Sequence, residues 1–230
     1  MRKIKKTLFT LNIGNYAPEV TDLTFPLIKE YCRKIGADFY EIRENKFPQW
    51  KSLTYNKLQV YELAQKMEND WNIFIDSDAL VHPDTPDLTS LIDKDTVLHN
   101  GSDFAAIRWK YDRFFWRDKR NIGTPSWLCV ASDWCIELFK PLDDLTPEQA
   151  YENIFPVLGE LKVGYEPWRL IEDYVMSRNI AKYGLKFKSF MEIQEEQPRV
   201  KGEYLWHQYA MPNEEKFVRL RQVMKGWGLL

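Results

Sequence analysis

Cysteine is scarce in this sequence: Cys32, Cys129 and Cys135 are three among 230 residues. An odd number with no C-x-x-C spacing supplies neither a disulfide framework nor a structural zinc site. Reduced, mostly buried thiols of a reducing compartment are the reading that remains. Long hydrophobic runs are absent too. Behind the basic stretch from Met1 to Lys6, only Thr7 to Leu11 is apolar before Asn12 and Gly14. That is too short for a signal-peptide core, and no stretch approaches a membrane span. The expected place is therefore the cytoplasm, as for a soluble microbial or viral enzyme. No long basic run is present, and a formal net charge of -2 gives no general pull toward nucleic acid. Linkers, low-complexity tracts and repeats are lacking as well.

What is there fits one ordinary globular domain spanning 1–230. Hydrophobic residues make up 44% and charged residues 29%, which excludes a disordered or fibrous chain. Aromatics reach 15%, and most of these rings must serve core packing.

The first half alternates strand and helix signals. Thr7 to Ile13 reads as a buried strand, followed by a helix with apolar Leu23, Leu27, Tyr31 and Ile35 that stops at Gly36. Pro26 sets the expected start of that helix near Thr24. Asp38 to Ile42 reads as a second strand, Leu58, Tyr61, Ala64 and Met67 as the stripe of a second helix, and Trp71 to Ile75 as a third strand. This order predicts an α/β fold with a mostly parallel sheet and right-handed crossovers. In the second half, Phe104 to Arg108 and Trp127 to Ala131 read as strands, and Thr146-Pro-Glu-Gln149 as a capped helix start. A helix from about Leu170 to Tyr183, strands at Leu185 to Phe190 and Tyr204 to His207, and a last helix capped by Asn213 complete a sheet that turns mixed.

The most informative segment runs from Trp71 to Val81, where a hydrophobic strand ends in Asp76-Ser77-Asp78. Residues i and i+2 of a strand point to one side, so both carboxylates can converge on one point. The carboxyl ends of parallel strands are also where open α/β sheets place ligands. Two adjacent carboxylates between apolar runs cost several kcal/mol unless paired or ligated, and their hard oxygens suit Mn²⁺ or Mg²⁺.

With these residues in view, the chain resembles glycosyltransferases of the GT-A fold. Trp50, Asn56-Lys57-Leu58 and Trp71 to Leu80 are similar to the galactosyl- and xylosyltransferases of galactomannan type and to yeast mannan transferases, and more loosely to the glycogenin-like family. The resemblance implies a nucleotide-binding half, 1–100, and an acceptor-binding half, 101–230. It implies a metal held by Asp76, Asp78 and a late His207, with Ser77 between the two acids. It assigns Thr10, Asn12 and Tyr16 to the base and ribose, Lys57 and Lys216 to the donor, and Asn121 of Asn121-Ile-Gly123 to the sugar pocket. Glu172 and Asp173, opening a helix, take the place of the acid facing the acceptor. Glu-Asp there is similar to inverting members, whereas the mannan-type relatives that retain configuration have Asp-Gln, so the stereochemical outcome stays open. The implied partners are a UDP-sugar and a glycan or other hydroxyl acceptor. The loop Trp109 to Arg120 reads either as a lid or acceptor platform or as an aromatic-anchored surface loop.

Three other readings start from the same residues. Haloacid-dehalogenase-like phosphatases follow their Asp-x-Asp with Gly-Thr on a first strand; here Ala79-Leu80 follows, after two βα units. Sugar-phosphate nucleotidyltransferases carry a Gly-rich basic signature after the first strand, and Leu11 to Asn15 holds one Gly and no Arg or Lys. A non-catalytic nucleotide-sugar-binding module on the same fold stays open.

Overall fold

The computed structural model describes residues 2–100, 126–155, 166–200, 202–208 and 211–230. Its centre is a six-stranded sheet in the order β2-β1-β3-β6-β5-β7. The strands are β1 (Lys6–Leu11), β2 (Asp38–Ile42), β3 (Trp71–Ile75), β5 (Thr96–His99), β6 (Leu128–Ser132) and β7 (Lys186–Ser189). β1 runs parallel to β2 and β3, β6 runs antiparallel to β3 and β5, and β5 runs parallel to β7. Only β6 therefore opposes the common direction, which gives the mostly parallel mixed sheet expected. A separate two-stranded ribbon joins β4 (Leu80–Val81) to β8 (Leu205–Trp206).

β3 and β6 are buried along their whole length because the sheet is covered on both faces. One face packs Phe9, Phe74 and Cys129 against Tyr55, Leu58, Tyr174 and Val175. The other packs Leu8, Ile73, Ile75 and Val130 against Ile28, Tyr31 and Cys32. These partners come from α1 (Pro18–Ile35), from the 3-10 segment Leu53–Gln59 leading into α2 (Val60–Met67), and from α4 (Ile171–Lys182). Helices α3 (Pro147–Glu152), α5 (Phe190–Glu196) and α6 (Asn213–Gly226) complete the described set.

Local chemistry accounts for most boundaries. Gly36 closes α1 at φ 68, a left-handed position where a side chain would be strained. Thr146 and Gln149 form the reciprocal capping box at α3 that their spacing predicts. Two readings are corrected. α1 starts at Pro18, not near Thr24, because Pro18 and not Pro26 is the proline of the first turn; Pro26 lies inside the helix. Asn213 is not the N-cap of α6. Pro212, at φ -56 and ψ 146, holds that place, and the Asn213 side chain instead accepts from the Tyr16 hydroxyl at 3.1 Å. β8 falls within the expected strand Tyr204 to His207, β4 and β5 carry no sequence-read strand, and the expected strand Phe104 to Arg108 lies outside the described residues.

All three cysteines are buried and unpaired. Burial pushes the Cys32 thiol up to about 12 and that of Cys135 up to about 11, and holds Cys129 well above the usual thiol range. A thiol reagent at pH 8 is expected to leave all three unmodified in the native protein while labelling them fast in denaturant. Rapid labelling of the native chain would contradict this packing. Among the described residues, no helix is long and apolar enough to cross a membrane.

Candidate metal and donor site

β3 ends at Ile75, and the chain turns at once: the Ala79 amide donates to the Asp76 carbonyl at 3.1 Å. The Asp76 amide donates to the Trp127 carbonyl at 2.9 Å, and the Thr24 hydroxyl donates to the Ser77 carbonyl at 2.5 Å. The two acids thus converge through a pinned turn rather than through the side-chain alternation of a strand. That is a correction of mechanism, not of place.

The ribbon supplies the third group. β4 pairs Leu80 with Trp206 and Val81 with Leu205, so continuing the register by one residue sets His207 opposite Ala79, beside Asp78. His207 Nε2 lies 3.3 Å from Asp78 Oδ1 and 3.9 Å from Asp76 Oδ2. Trp127 stacks on the imidazole with centroids 5.2 Å apart and planes 16° from parallel, which fixes the ring's orientation. One ligand atom from each of Asp76, Asp78 and His207 falls within 4.8 Å of the others. Two carboxylate oxygens and one imidazole form a donor set suited to a first-row divalent cation such as Mn²⁺.

Two lysines serve these acids. Lys57, on the 3-10 segment, is 0% exposed, and its ammonium lies 3.3 Å from Asp76 Oδ1 and 3.7 Å from Glu172 Oε1. It donates to the Ser126 carbonyl and sits 4.8 Å over the Phe74 ring. Burial alone would lower its pKa, but Asp76, Glu172 and Asp173 outweigh that and hold it charged. Lys216, from α6, pairs with Asp78. Burial works against the Asp78 anion, yet His207 and Lys216 hold its carboxyl well below the usual range. Glu172 goes the other way. Burial raises its pKa, and a hydrogen bond from Thr54 at 2.7 Å and a lysine shared with other acids do not fully offset it.

The donor set tests the fit of a metal directly. Asp76, Asp78 and His207 offer two carboxylate oxygens and one imidazole nitrogen within 4.8 Å of one another, the hard and borderline ligands that a divalent first-row cation takes.

The other expected residues are placed as follows. Glu172 and Asp173 open α4, both buried, on the Lys57 side of Asp76. Tyr16, 36% exposed, reaches Asn213 of α6, and the charges of Asp78 and Lys216 act on its hydroxyl. Thr10 and Asn12 stand at the carboxyl end of β1, next to β3, and are buried. The Asn12 amide group donates to Glu41 Oε2 at 3.0 Å, while Thr10 Oγ1 and Asn12 Oδ1 have no hydrogen-bond partner. Ser77 is buried within the turn. Asn121 and the loop Trp109 to Arg120 lie outside the described residues. Sequence reasoning missed Trp127, Thr54 and Glu41, none of which carries a local motif.

No family model matches the chain, and no curated protein sequence matches it. Solved structures do. A glycosyltransferase involved in the glycosylation of the major capsid of PBCV-1 superposes with a TM-score of 0.53 at 15% identity, over 95% of this chain and 99% of that one. A mutant of a Drosophila β1,4-galactosyltransferase 7, in complex with manganese, UDP-Gal and xylobiose, aligns over 81% of this chain and 65% of its own at 13% identity. Its TM-score of 0.43 falls below the level that establishes a common fold. The first likeness shows the fold: this chain has the α/β arrangement of a GT-A glycosyltransferase, with an Asp-x-Asp pair at the expected strand end.

Proposed function

We propose that this protein is a metal-dependent glycosyltransferase that moves a hexose or related sugar from a nucleotide-diphosphate donor, a UDP-sugar, to a hydroxyl acceptor, a glycan. The observation that carries the reading is the Asp76, Asp78 and His207 cluster at the carboxyl end of β3. The shared fold with a glycosyltransferase supports it.

Asp76, Asp78 and His207 would hold Mn²⁺ or Mg²⁺, which neutralises charge growing on a departing nucleoside diphosphate. Lys57 pairs with Asp76 at 3.3 Å, and Trp127 stacks on the His207 ring. Lys216 reaches the same point from α6 and adds positive charge where a diphosphate would lie. Thr10 at the end of β1, and Asn12 and Tyr16 in the loop that follows, would meet the nucleoside. Asp173 is assigned as the base that takes the acceptor hydroxyl proton, in the place of the Asp of the Glu-Asp pair in the inverting families that the chain resembles. This assignment implies inversion at the anomeric carbon. Residues 1–100 carry the paired acids, and residues 101–230 bring His207, Lys216 and the helix-opening acids.

Calorimetry of UDP tests the reading. Binding is expected with Mn²⁺ present, to vanish with EDTA, and to vanish in Asp78→Ala with Mn²⁺. If neither UDP nor GDP binds the wild type with metal, Asp76 and Asp78 are structural carboxylates and the reading falls. A binding module would bind UDP alike but never release it from a UDP-sugar, so hydrolysis of the donor separates module from enzyme.

A further inference from the structure

A second cluster lies just before the acids of α4 in the chain and reaches them through Thr54. Trp168 sits in the 3-10 turn Pro167–Leu170 that runs straight into α4. Four residues separate it from Glu172, across the 3-10 turn and the non-helical Leu170 at φ -111 and ψ 5. Its indole is half-buried and packs at 4.8 Å and 40° against Tyr151 of α3, itself half-buried. Over the indole lies the exposed Lys51 ammonium, 4.9 Å from the ring. Lys51 holds a left-handed backbone at φ 51, which turns the chain so that Ser52 and Thr54 follow at the edge of the cluster. The Ser52 and Thr54 hydroxyls lie 2.7 Å apart, and Thr54 donates to Glu172 Oε2 at 2.7 Å. Between them Leu53 is 53% exposed.

We propose that Trp168, with Tyr151 and Lys51, forms an acceptor subsite that stacks a saccharide ring and sets its hydroxyl beside Glu172 and Asp173. The inference rests on the glycosyltransferase reading and adds where the acceptor lies. A pyranose offers an apolar face of C–H groups and a rim of hydroxyls. The apolar face matches a flat, partly exposed indole whose tilt is fixed by a second ring. The rim matches an ammonium and a hydroxyl pair already hydrogen-bonded to the acid. A cation over an exposed indole is only weakly held, so a sugar can move Lys51 aside to the ring's edge, where it donates to hydroxyls. The Ser52–Thr54–Glu172 chain ties the platform to the reacting end, so ring position and acid position are set together. Rings serving only as core would be sealed, as Trp50 is where it stacks at 4.0 Å on buried Tyr55.

The test uses full-length protein loaded with UDP and Mn²⁺ and the methyl glycosides of glucose, galactose, mannose and xylose with their disaccharides. Saturation-transfer NMR reads which ring protons touch the protein. At least one glycoside is expected to bind through its C–H face, with affinity at least tenfold lower in Trp168→Ala and largely restored in Trp168→Phe. UDP affinity is expected to be unchanged in both variants. If no glycoside binds the wild type, if Trp168→Ala binds as well as the wild type, or if Trp168→Ala also loses UDP, the subsite is overturned. Failure of the wild type to bind UDP with metal is the separate result that removes the functional reading itself.

Discussion

Replacing Lys57 with methionine is expected to cost about 3–5 kcal/mol of folding stability, the usual penalty for breaking a buried ion pair by removing one partner. The side chain is fully buried and its ammonium lies within 4 Å of two carboxylates, Asp76 at 3.3 Å and Glu172 at 3.7 Å. Methionine fills a similar volume, so lost packing contributes little, and what remains is uncompensated negative charge. For a chain of this size the loss corresponds to a fall in melting temperature of roughly 10 °C. The measurement is thermal and urea unfolding in EDTA, where no metal can take over the neutralising role. Lys57→Met combined with Glu172→Gln is expected to recover part of the loss, because the two residues share one ion pair. A Lys57→Met protein as stable as the wild type in EDTA would show that these acids are neutralised by other means.

The second large effect concerns the two acids that open α4. Asp173→Asn is expected to lower kcat by about 10²–10⁴, the range for loss of a positioned general base, with UDP affinity unchanged. Glu172→Gln should act differently. A glutamine oxygen still accepts from Thr54, and Lys57 keeps Asp76, so the helix start stays in place. Its expected signature is a raised KM for acceptor with a smaller change in kcat. Steady-state kinetics on both variants decide the matter. Equal losses in kcat would assign the proton transfer to the pair, and a loss confined to Glu172→Gln would exchange the two roles.

The sheet was legible where strands are fully buried or cleanly bounded. Asp38–Ile42 and Trp71–Ile75 match their sequence-read limits to the residue, the first set off by Gly36 and Arg43 and the second by Asp70 and Asp76. β5 escaped notice because Thr96–His99 is four residues long and its burial depends on β6 and β7, far along the chain. Pro26 misled the start of α1, since a proline inside a helix looks locally like one at its first turn. The site divides in the same way. Asp76, Asp78 and His207 were visible as a strand-end pair and a late histidine in order, and the structure brings them together. Trp127 against His207, Thr54 on Glu172 and Lys216 on Asp78 were not visible as contacts. Each joins residues dozens of positions apart through tertiary packing, and no local pattern encodes it.

The β4–β8 ribbon has a consequence for how the site comes into being. During synthesis the paired acids emerge early and β3 can dock on β1 long before residues 205 and 206 exist. Until those two residues zip onto Leu80 and Val81, the cluster has its two carboxylates but neither its imidazole nor the ammonium of Lys216. A nascent chain therefore offers a cation only a loose, two-point hold. The three-point grip waits on residues 205 to 216, so occupancy of the site reports that this stretch has been made and folded back onto β4.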